Sequence, residues 1–226
     1  MNTIIFALYA EGRTDERFLP LIIQRTAIDI LIRRGKKIVY VADPAVLVLE
    51  NPEPSSRAER ILRAAQQASG YHALIVHADA DHPTADQAMK ERIQPGFERV
   101  LTERDKNEVC RQLVPIIPIR MTEAWMLADI EALQEVIGTD LDAERLGISK
   151  KRNIESDTDP KQTIKEAVRN AEANRSHRRR RIKLASLYEP LAGRIRLERL
   201  QSLSAYRQFA DDLTKTLAAL HLVQKV

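Results

Sequence analysis

The segment HALIVHADAD, residues 72–81, constrains the fold more than any other part of the sequence. Its apolar residues follow one another almost without interruption, which is typical of a strand buried on both faces of a parallel sheet. Other apolar runs of strand length occur at 3–10, 37–42, 46–49 and 113–119, with helical patterns between them. This alternation predicts an α/β fold with a mainly parallel central sheet of about four strands and helices on both faces.

Two details of the sheet also follow from the pattern. We expect the strands that begin near Thr3 and near His72 to be neighbours in the sheet. The last apolar run contains Pro115 and Pro118. Because proline cannot donate a hydrogen bond to a neighbouring strand, these two residues favour an edge or irregular position.

Several residues have the character of helix-start or helix-break signals. Thr14 is expected to cap the helix after the first strand, and Ser56 with Glu59 has the spacing of a capping box. A helix from about Thr84 is expected to be interrupted at Pro95–Gly96.

The second half of the chain has a helical character. Residues 121–137 are predicted to form an amphipathic helix. Asp159–Pro160 is a favourable start for a second helix, and residues 204–222 are predicted to form the last one. We therefore predict an α/β core over residues 1–130. A basic helical extension over residues 131–226 would pack on it, in one structural unit.

Charge is unevenly distributed along the chain. Residues 1–149 contain 18 Lys and Arg against 23 Asp and Glu, a net charge of −5. Residues 150–226 contain 18 against 9, a net charge of +9. A basic half suits a polyanionic partner such as nucleic acid, although ordinary proteins also show such asymmetry.

Several classes of protein are disfavoured. Cys110 is the single cysteine, so the chain has no internal disulfide and no cysteine-based zinc site, which fits a reducing compartment. The first apolar run lacks a preceding basic stretch and is followed at once by acids, so it predicts a strand and not a signal peptide or membrane span. The sequence contains no Gly-rich nucleotide-binding loop of the GxxxxGK[ST] kind.

Acidic residues follow two of the predicted strands. Glu11 directly follows the first strand, and Asp79 and Asp81 end the strand in residues 72–81. In open α/β sheets, ligands bind beyond the carboxyl ends of the strands. Asp15, early in the next helix, could add a fourth carboxylate, and Gly12 would permit a sharp turn before it. Carboxylates gathered at one place repel each other unless a cation neutralises them, and oxygen ligands favour Mg²⁺ or Mn²⁺.

Each acidic position also has a purely structural interpretation. A Glu-Gly after a strand is commonly a turn, and an Asp-x-Asp after a strand commonly caps a loop. Glu123 suits the first turn of a helix, where the helix dipole favours an acid. His77 is interpreted as a buried, hydrogen-bonded histidine of the strand, and His82 as a cap of the following turn.

Four motifs occur in an order that resembles a known family. They are EGRTDERFL at 11–19, ALIVHADAD at 73–81, IPIRMTEAWMLAD at 117–129 and DPK at 159–161. Their order is similar to that of a small stand-alone Toprim-like family, Toprim being the topoisomerase-primase fold. This family resembles the overcoming-lysogenization-defect nucleases, which are typically encoded beside an ATPase gene in bacterial defence loci. The resemblance covers nearly the whole chain, including LASLYEPLAG at 184–193 and FADDL at 209–213.

The resemblance implies a set of site residues. Glu11 is similar to the Toprim glutamate, Asp79 and Asp81 to its Asp-x-Asp pair, and Asp15 to an additional acid of the nuclease branch. Glu123 and Lys161 resemble the acid and the lysine that complete a two-metal site. The implied catalytic residues are therefore Glu11, Asp79, Asp81 and Lys161. The implied ligands of Mg²⁺ or Mn²⁺ are Glu11, Asp15, Asp79, Asp81 and Glu123.

The implied function is metal-dependent cleavage of nucleic acid, with DNA favoured over RNA. The chain would act in the cytoplasm, without a membrane partner, as the nuclease component of an anti-phage or anti-plasmid system whose ATPase is a separate protein. Two metals about 3.5–4 Å apart would activate water and stabilise the leaving oxygen. Topoisomerase activity would need a large gate, and primase a zinc module, and neither is indicated by the sequence.

A basic segment near residue 180 is the predicted nucleic-acid-binding surface. Arginine side chains suit phosphate oxygens, although such runs are also common as solvated surface. The predicted contacts are made by Arg175, Arg178, Arg179, Arg180, Arg181 and Lys183.

Three other functions remain compatible with the residues. One is a Toprim nuclease that processes structured RNA. Another is a non-catalytic nucleic-acid-binding or regulatory subunit whose metal only anchors phosphate. The third is a nucleotide-sugar transferase with a metal-binding Asp-x-Asp, which leaves Glu11–Gly12 and the basic half unexplained.

Overall fold

The computed structural model describes residues 2–49, 56–104, 108–149, 153–173 and 181–224. All strand pairs within these ranges are parallel. The strands are β1 (Asn2–Ile4), β2 (Phe6–Tyr9), β3 (Val39–Val41), β4 (Ala45–Val46), β5 (Ala73–His77) and β6 (Leu113–Ile116). They form a four-stranded sheet of order β4-β2-β5-β6 and a two-stranded sheet of β1 with β3.

The order of the strands agrees with the predicted sheet. β2 pairs with β5, with Leu8 opposite Ile75, so the strands expected to be neighbours are adjacent. β6, which contains Pro115, lies at the edge of the four-stranded sheet. The predicted first strand is divided at Ile5, where the main chain bonds to His72 instead of to a neighbouring strand in register.

Helices occupy much of the rest of the described chain, and loops and turns connect them. They are α1 (Asp15–Arg34), α2 (Arg57–Gln67), α3 (Asp86–Ala88), α4 (Gln94–Glu103), α5 (Glu123–Met126), α6 (Ile130–Ile137), α7 (Pro160–Ala173), α8 (Tyr188–Arg194), α9 (Leu197–Leu200) and α10 (Ser204–Ala219). A π-helical turn, Met89–Ile93, joins α3 to α4, and 3₁₀ turns occupy Ile154–Ser156 and Leu184–Ser186.

The sheet is covered by helices on both faces, as the apolar pattern predicted. Alternate residues of β2 and β5 enter two separate cores: Leu8 and Ile75 belong to one, Ala7 and Leu74 to the other. The first core contains residues of α1, α5, α6, α7, α8 and α10, and the second contains residues of α2 and α4. No described helix is long and apolar enough to cross a membrane.

The C-terminal helices contribute directly to the first core. Trp125 of α5 packs edge-on against Tyr206 of α10, with ring centroids 5.4 Å apart, and Phe209 lies beside both rings. All three side chains are at most 1% exposed. Such aromatic contacts fix α10 against α5, the helix that carries Glu123.

Some local predictions were confirmed and others were wrong. The capping box of Ser56 and Glu59 is present, and Asp159 accepts a hydrogen bond from the main chain at the start of α7. Thr14 makes no side-chain capping bond, because its own backbone is already helical. The helix predicted to break at Pro95–Gly96 instead has its irregularity earlier, in the π-helical turn.

The predicted helix over residues 121–137 is in fact divided into α5 and α6. The break lies at Asp129, whose backbone is extended and whose side chain accepts a hydrogen bond from the Ala132 N–H. The same carboxylate receives a two-pronged contact from Arg196, at 2.7 and 2.8 Å. An aspartate that caps a new helix and binds a distant arginine ends the first helix.

Candidate metal centre

The first carboxylates meet where β2 and β5 end side by side. Glu11 lies two positions after the end of β2, and Asp79 lies two positions after the end of β5. The main-chain N–H of Asp79 donates to Oε2 of Glu11 across 3.3 Å. Parallel pairing therefore brings together two acids that are 68 residues apart in the chain.

Asp15 lies behind this pair, in the first turn of α1. Its residue is 6% exposed, and Gly12 makes room for it, since a Cβ on Gly12 would lie 2.9 Å from Asp15 Oδ2. Burial raises the pKa of Asp15, and the carboxylates of Asp79 and Glu123 act in the same direction against His77 and Thr122. A bound cation would offset both the cost of burying the Asp15 charge and its repulsion by the neighbouring carboxylates.

His77 connects the buried and exposed parts of the site. It is fully buried, and its Nδ1 accepts a hydrogen bond from the Glu11 N–H at 3.4 Å. Its Nε2 lies 3.3 Å from Asp79 Oδ1 and 3.4 Å from Thr122 Oγ1. This pattern assigns the ring proton to Nε2, where it faces the Asp79 carboxylate. His77 is thus buried and hydrogen-bonded, as the sequence indicated, and it also lines the site.

Glu123 approaches from α5, with only 4% of the residue exposed. Its Oε1 accepts a hydrogen bond from the Tyr188 hydroxyl at 2.5 Å and lies 3.4 Å from Lys161 Nζ. Burial raises the pKa of Tyr188, and the Glu123 carboxylate raises it further, so the tyrosine stays a donor. Asp79 is linked to the same helix start, since its Oδ1 accepts from the Thr122 N–H at 3.2 Å.

Asp81 is the most exposed acid of the site and lies in a constrained loop. Its side chain is 64% exposed, and its φ of 57° is in the left-handed region. Arg120, after β6, has a φ of 64° and accepts the Asp81 N–H at its carbonyl across 3.1 Å. Two such residues facing each other indicate backbone strain, which clusters at functional sites.

Two arginines hold the exposed carboxylates. Arg92 of the π-helical turn donates to Oδ2 of Asp81 at 2.8 Å, to the Asp79 carbonyl at 2.6 Å and to Oε1 of Glu11. Arg57 of α2 lies 3.4 Å from Glu11 Oε1 and donates to the His77 carbonyl at 2.6 Å. Burial lowers the pKa of Arg57, and the Glu11 carboxylate opposes that effect.

The donor set suits a hard divalent cation. One ligand atom from each of Asp15, His77 and Asp79 can lie within 4.8 Å of the other two. Carboxylate oxygens are the preferred ligands of Mg²⁺ and Mn²⁺, whereas a ring nitrogen of His77 could bind Mn²⁺ only by giving up its hydrogen bond to Glu11 or to Asp79. This geometric triad includes His77, which the sequence did not propose as a ligand. It leaves out Glu11 and Asp81, whose carboxylates face Arg92.

All six residues proposed from the motifs lie at this edge of the sheet. They are Glu11, Asp15, Asp79, Asp81, Glu123 and Lys161. Sequence reasoning missed Arg57, Arg92, Thr122 and Tyr188. Arg57 and Arg92 lie outside the motifs, and the motifs that contain Thr122 and Tyr188 did not identify them as site residues. The one signal was indirect, since a cluster of acids needs cations and hydrogen-bond donors nearby.

The predicted basic segment is only partly described. Arg175, Arg178, Arg179 and Arg180 lie outside the described residues, whereas Arg181 and Lys183 are exposed. The 3₁₀ turn that follows accepts a hydrogen bond at Ala185 from Arg17 of α1, 3.3 Å away. This contact places the end of the basic segment beside the helix that carries Asp15.

Comparison with known proteins gives one family assignment. A family described as a domain of unknown function, DUF4276, matches residues 10–213, which include every site residue described above. No curated protein and no solved structure matches the chain. Because the match extends over most of the sequence, the chain belongs to the DUF4276 family.

Proposed function

We propose that this protein is a Mg²⁺- or Mn²⁺-dependent nuclease of the Toprim type. The observation that carries the proposal is the convergence of five acids and one lysine, from four separate motifs, at the carboxyl edge of one sheet. Turn and capping roles explain each acid separately, but they do not explain why distant acids gather in a partly buried cluster.

The proposed metal ligands include both exposed and buried acids. Glu11, Asp79 and Asp81 are accessible from solvent and would hold metal at the surface where a phosphodiester can approach. Asp15 and Glu123 would complete the ligand set from the buried side. When bound, a divalent metal supplies activation of water and neutralisation of phosphate charge.

The reaction is hydrolysis of a phosphodiester. Oxygen from water forms a bond to phosphorus, the bond from phosphorus to the leaving oxygen breaks, and a proton reaches that oxygen. Lys161, which has a 44% exposed side chain, is placed to offset charge on the phosphate beside Glu123. His77 and Thr122 keep the Asp79 carboxylate in a fixed orientation.

Nucleic acid is the substrate class that the charge distribution favours. The last 77 residues have a net charge of +9, and their basic segment ends beside α1. We propose DNA as the main substrate, a separate ATPase as the partner, and the cytoplasm as the location. The buried free thiol of Cys110 is compatible with a reducing compartment.

The test is cleavage of plasmid DNA by the purified protein with Mg²⁺ or Mn²⁺, alongside metal binding by calorimetry. Asp79→Asn and Asp81→Asn should abolish cleavage while the protein remains folded. Asp86→Asn is the matched control, because it removes the same charge from an exposed residue just after the site. Structured RNA as a second substrate distinguishes DNA cleavage from RNA processing.

Each result has a defined meaning. Metal binding that is lost in Asp79→Asn but kept in Asp86→Asn would support the site. Metal binding without cleavage of either nucleic acid would favour a non-catalytic binding subunit. Cleavage that continues at the parent rate in both site variants would show that the activity comes from elsewhere.

A further inference from the structure

Arg92 has an unusual position for a residue outside the motifs. Its guanidinium lies between Glu11 and Asp81, two acids that the proposed function assigns to the metal, and contacts both carboxylates. One of its nitrogens also donates to the Asp79 carbonyl at 2.6 Å. An arginine fork thus occupies the place of a cation between these acids.

The backbone around Arg92 is irregular and is held in place by Arg57. Arg92 lies in a π-helical turn, Met89–Ile93, and such turns occur frequently at functional sites. Its main-chain carbonyl is fixed by Arg57 Nε at 2.8 Å, whereas its side chain remains 29% exposed. The backbone is therefore anchored, and the guanidinium is accessible at the face where a phosphodiester would enter.

The same two carboxylates cannot serve Arg92 and a metal fully at once. A divalent metal carries twice the charge of the guanidinium and binds carboxylate oxygen directly. The displaced guanidinium would then lie, on its anchored turn, beside the site that receives phosphate. Arginine binds phosphate oxygens with the same two-pronged geometry that it uses for carboxylates.

We propose that Arg92 is a substrate-binding residue that exchanges Glu11 and Asp81 for a phosphate oxygen of the nucleic acid when the metal binds. This inference rests on the proposed function. It predicts that metal and Arg92 compete in the free protein and act together when nucleic acid is present. Arg57 does not share this role, since two of its contacts are to main-chain carbonyls and its side chain is 17% exposed.

The experiment measures Mn²⁺ affinity and oligonucleotide affinity separately. Arg92→Gln should bind Mn²⁺ about tenfold more tightly than the parent in the absence of nucleic acid, because two partly exposed ion pairs no longer compete. With Ca²⁺ in place of Mg²⁺ to hold cleavage back, the variant should bind a DNA duplex about tenfold more weakly. Its slope of log affinity against log salt should be shallower by about 0.9, the value for one phosphate contact.

Two further variants make the test decisive. Arg92→Lys keeps the charge but cannot bridge both carboxylates, so it should bind Mn²⁺ more tightly than the parent and less tightly than Arg92→Gln. If Arg92→Gln folds poorly, the comparison of Arg92→Lys with the parent still tests the competition. Arg99→Gln removes a charge from the following helix, where Arg99 pairs with Glu59, and should leave both affinities unchanged.

The outcomes separate this inference from the proposed function. If the parent binds Mn²⁺ and Arg92→Gln binds it no more tightly, Arg92 does not compete with the metal and the inference is wrong. If Arg92→Gln binds Mn²⁺ more tightly but binds DNA as the parent does, Arg92 competes with the metal but does not bind phosphate. If neither protein binds Mn²⁺, the proposed function fails together with the inference.

Discussion

The hydroxyl of Tyr188 lies 2.5 Å from Oε1 of Glu123, and this contact joins α8 to the acidic edge of the sheet. Tyr188 is fully buried, and Lys161 reaches the same carboxylate oxygen from α7. The site is therefore completed by residues from the C-terminal helices as well as by the strand ends.

Replacing Tyr188 with phenylalanine should destabilise the protein. The change removes the hydroxyl that donates to the buried Glu123 carboxylate and leaves only the looser Lys161 contact at that oxygen. Hydrogen bonds to charged groups contribute about 1.5–3 kcal/mol. Urea unfolding near neutral pH measures the difference in the free energy of unfolding. The loss should become smaller in saturating Mn²⁺, because a metal ligated by Glu123 would satisfy the freed oxygen.

Tyr206→Phe is the matched control for that variant. Tyr206 is equally buried, but its hydroxyl pairs with Thr26 Oγ1 at 2.9 Å and not with a carboxylate of the site. Loss of this neutral hydrogen bond should cost about 1 kcal/mol with or without Mn²⁺. An equal Mn²⁺ effect in both variants would contradict a role for Glu123 as a metal ligand.

The strand ends were predictable because their signals are local. A continuous apolar run is a strong indication of a buried parallel strand, and side chains at the ends of such strands meet at one edge. The sequence pattern alone therefore predicts that Glu11, Asp79 and Asp81 lie together. The helix signals at Ser56 and Asp159 were reliable for the same reason, since capping needs residues only three positions apart.

The partners of these acids could not be predicted in the same way. Arg92 is 81 residues from Glu11, and Tyr188 is 65 residues from Glu123. Arg92 lies outside the motifs, and the stretch around Tyr188, at 184–193, did not indicate its partner. The break at Asp129 depends partly on Arg196, 67 residues away, and its local cap on the Ala132 N–H was not recognised within the amphipathic pattern. Contacts of this kind are set by packing of the helices, not by local pattern.

The basic segment should set the salt dependence of nucleic-acid binding. Replacing residues 178–181 with glutamine should weaken binding to any duplex and flatten the slope of log affinity against log salt by about two to four units. Fluorescence anisotropy at several salt concentrations measures the slope. Metal binding should not change.

A control for that variant lies at the other end of α1. Four exposed basic residues lie there: Arg33, Arg34, Lys36 and Lys37. They follow Asp15, at the start of α1, by about 20 residues, which corresponds to about 30 Å along a helix. Replacing these four with glutamine removes the same charge. A similar flattening in both proteins would show that net charge, not the basic segment, determines the slope.

Two glycines in helices should respond to alanine in opposite directions. A Cβ on Gly96 would lie 2.6 Å from Cδ1 of Ile61, so Gly96→Ala should overpack the contact between α4 and α2 at a cost of about 1–3 kcal/mol. Gly193, in α8, has nothing within 4 Å of the added carbon, and Gly193→Ala should stabilise by about 0.4–1 kcal/mol. Thermal unfolding of both variants checks the pair, and destabilisation by Gly193→Ala would contradict the open space beside α8.

The alkaline limit of stability should depend on Tyr206. Burial raises the pKa of its hydroxyl from 10.0 in the unfolded chain to about 12 in the folded protein. The native state therefore keeps a proton that the unfolded state releases, and stability falls as pH rises through that window. Below pH 10 the contribution is fully present, because both states are protonated.

Tyr206→Phe isolates this contribution, because phenylalanine does not titrate. Between about pH 9 and pH 12 the parent should lose on the order of 2 kcal/mol more than the variant, from a pKa difference of about two units. Urea unfolding curves at intervals across this range give the free energy of unfolding of each protein. Because the parent begins only about 1 kcal/mol more stable than the variant, the two curves of stability against pH should converge and then cross before pH 12. Parallel curves over the whole range would show that the Tyr206 hydroxyl titrates alike in both states, contrary to its burial against Thr26.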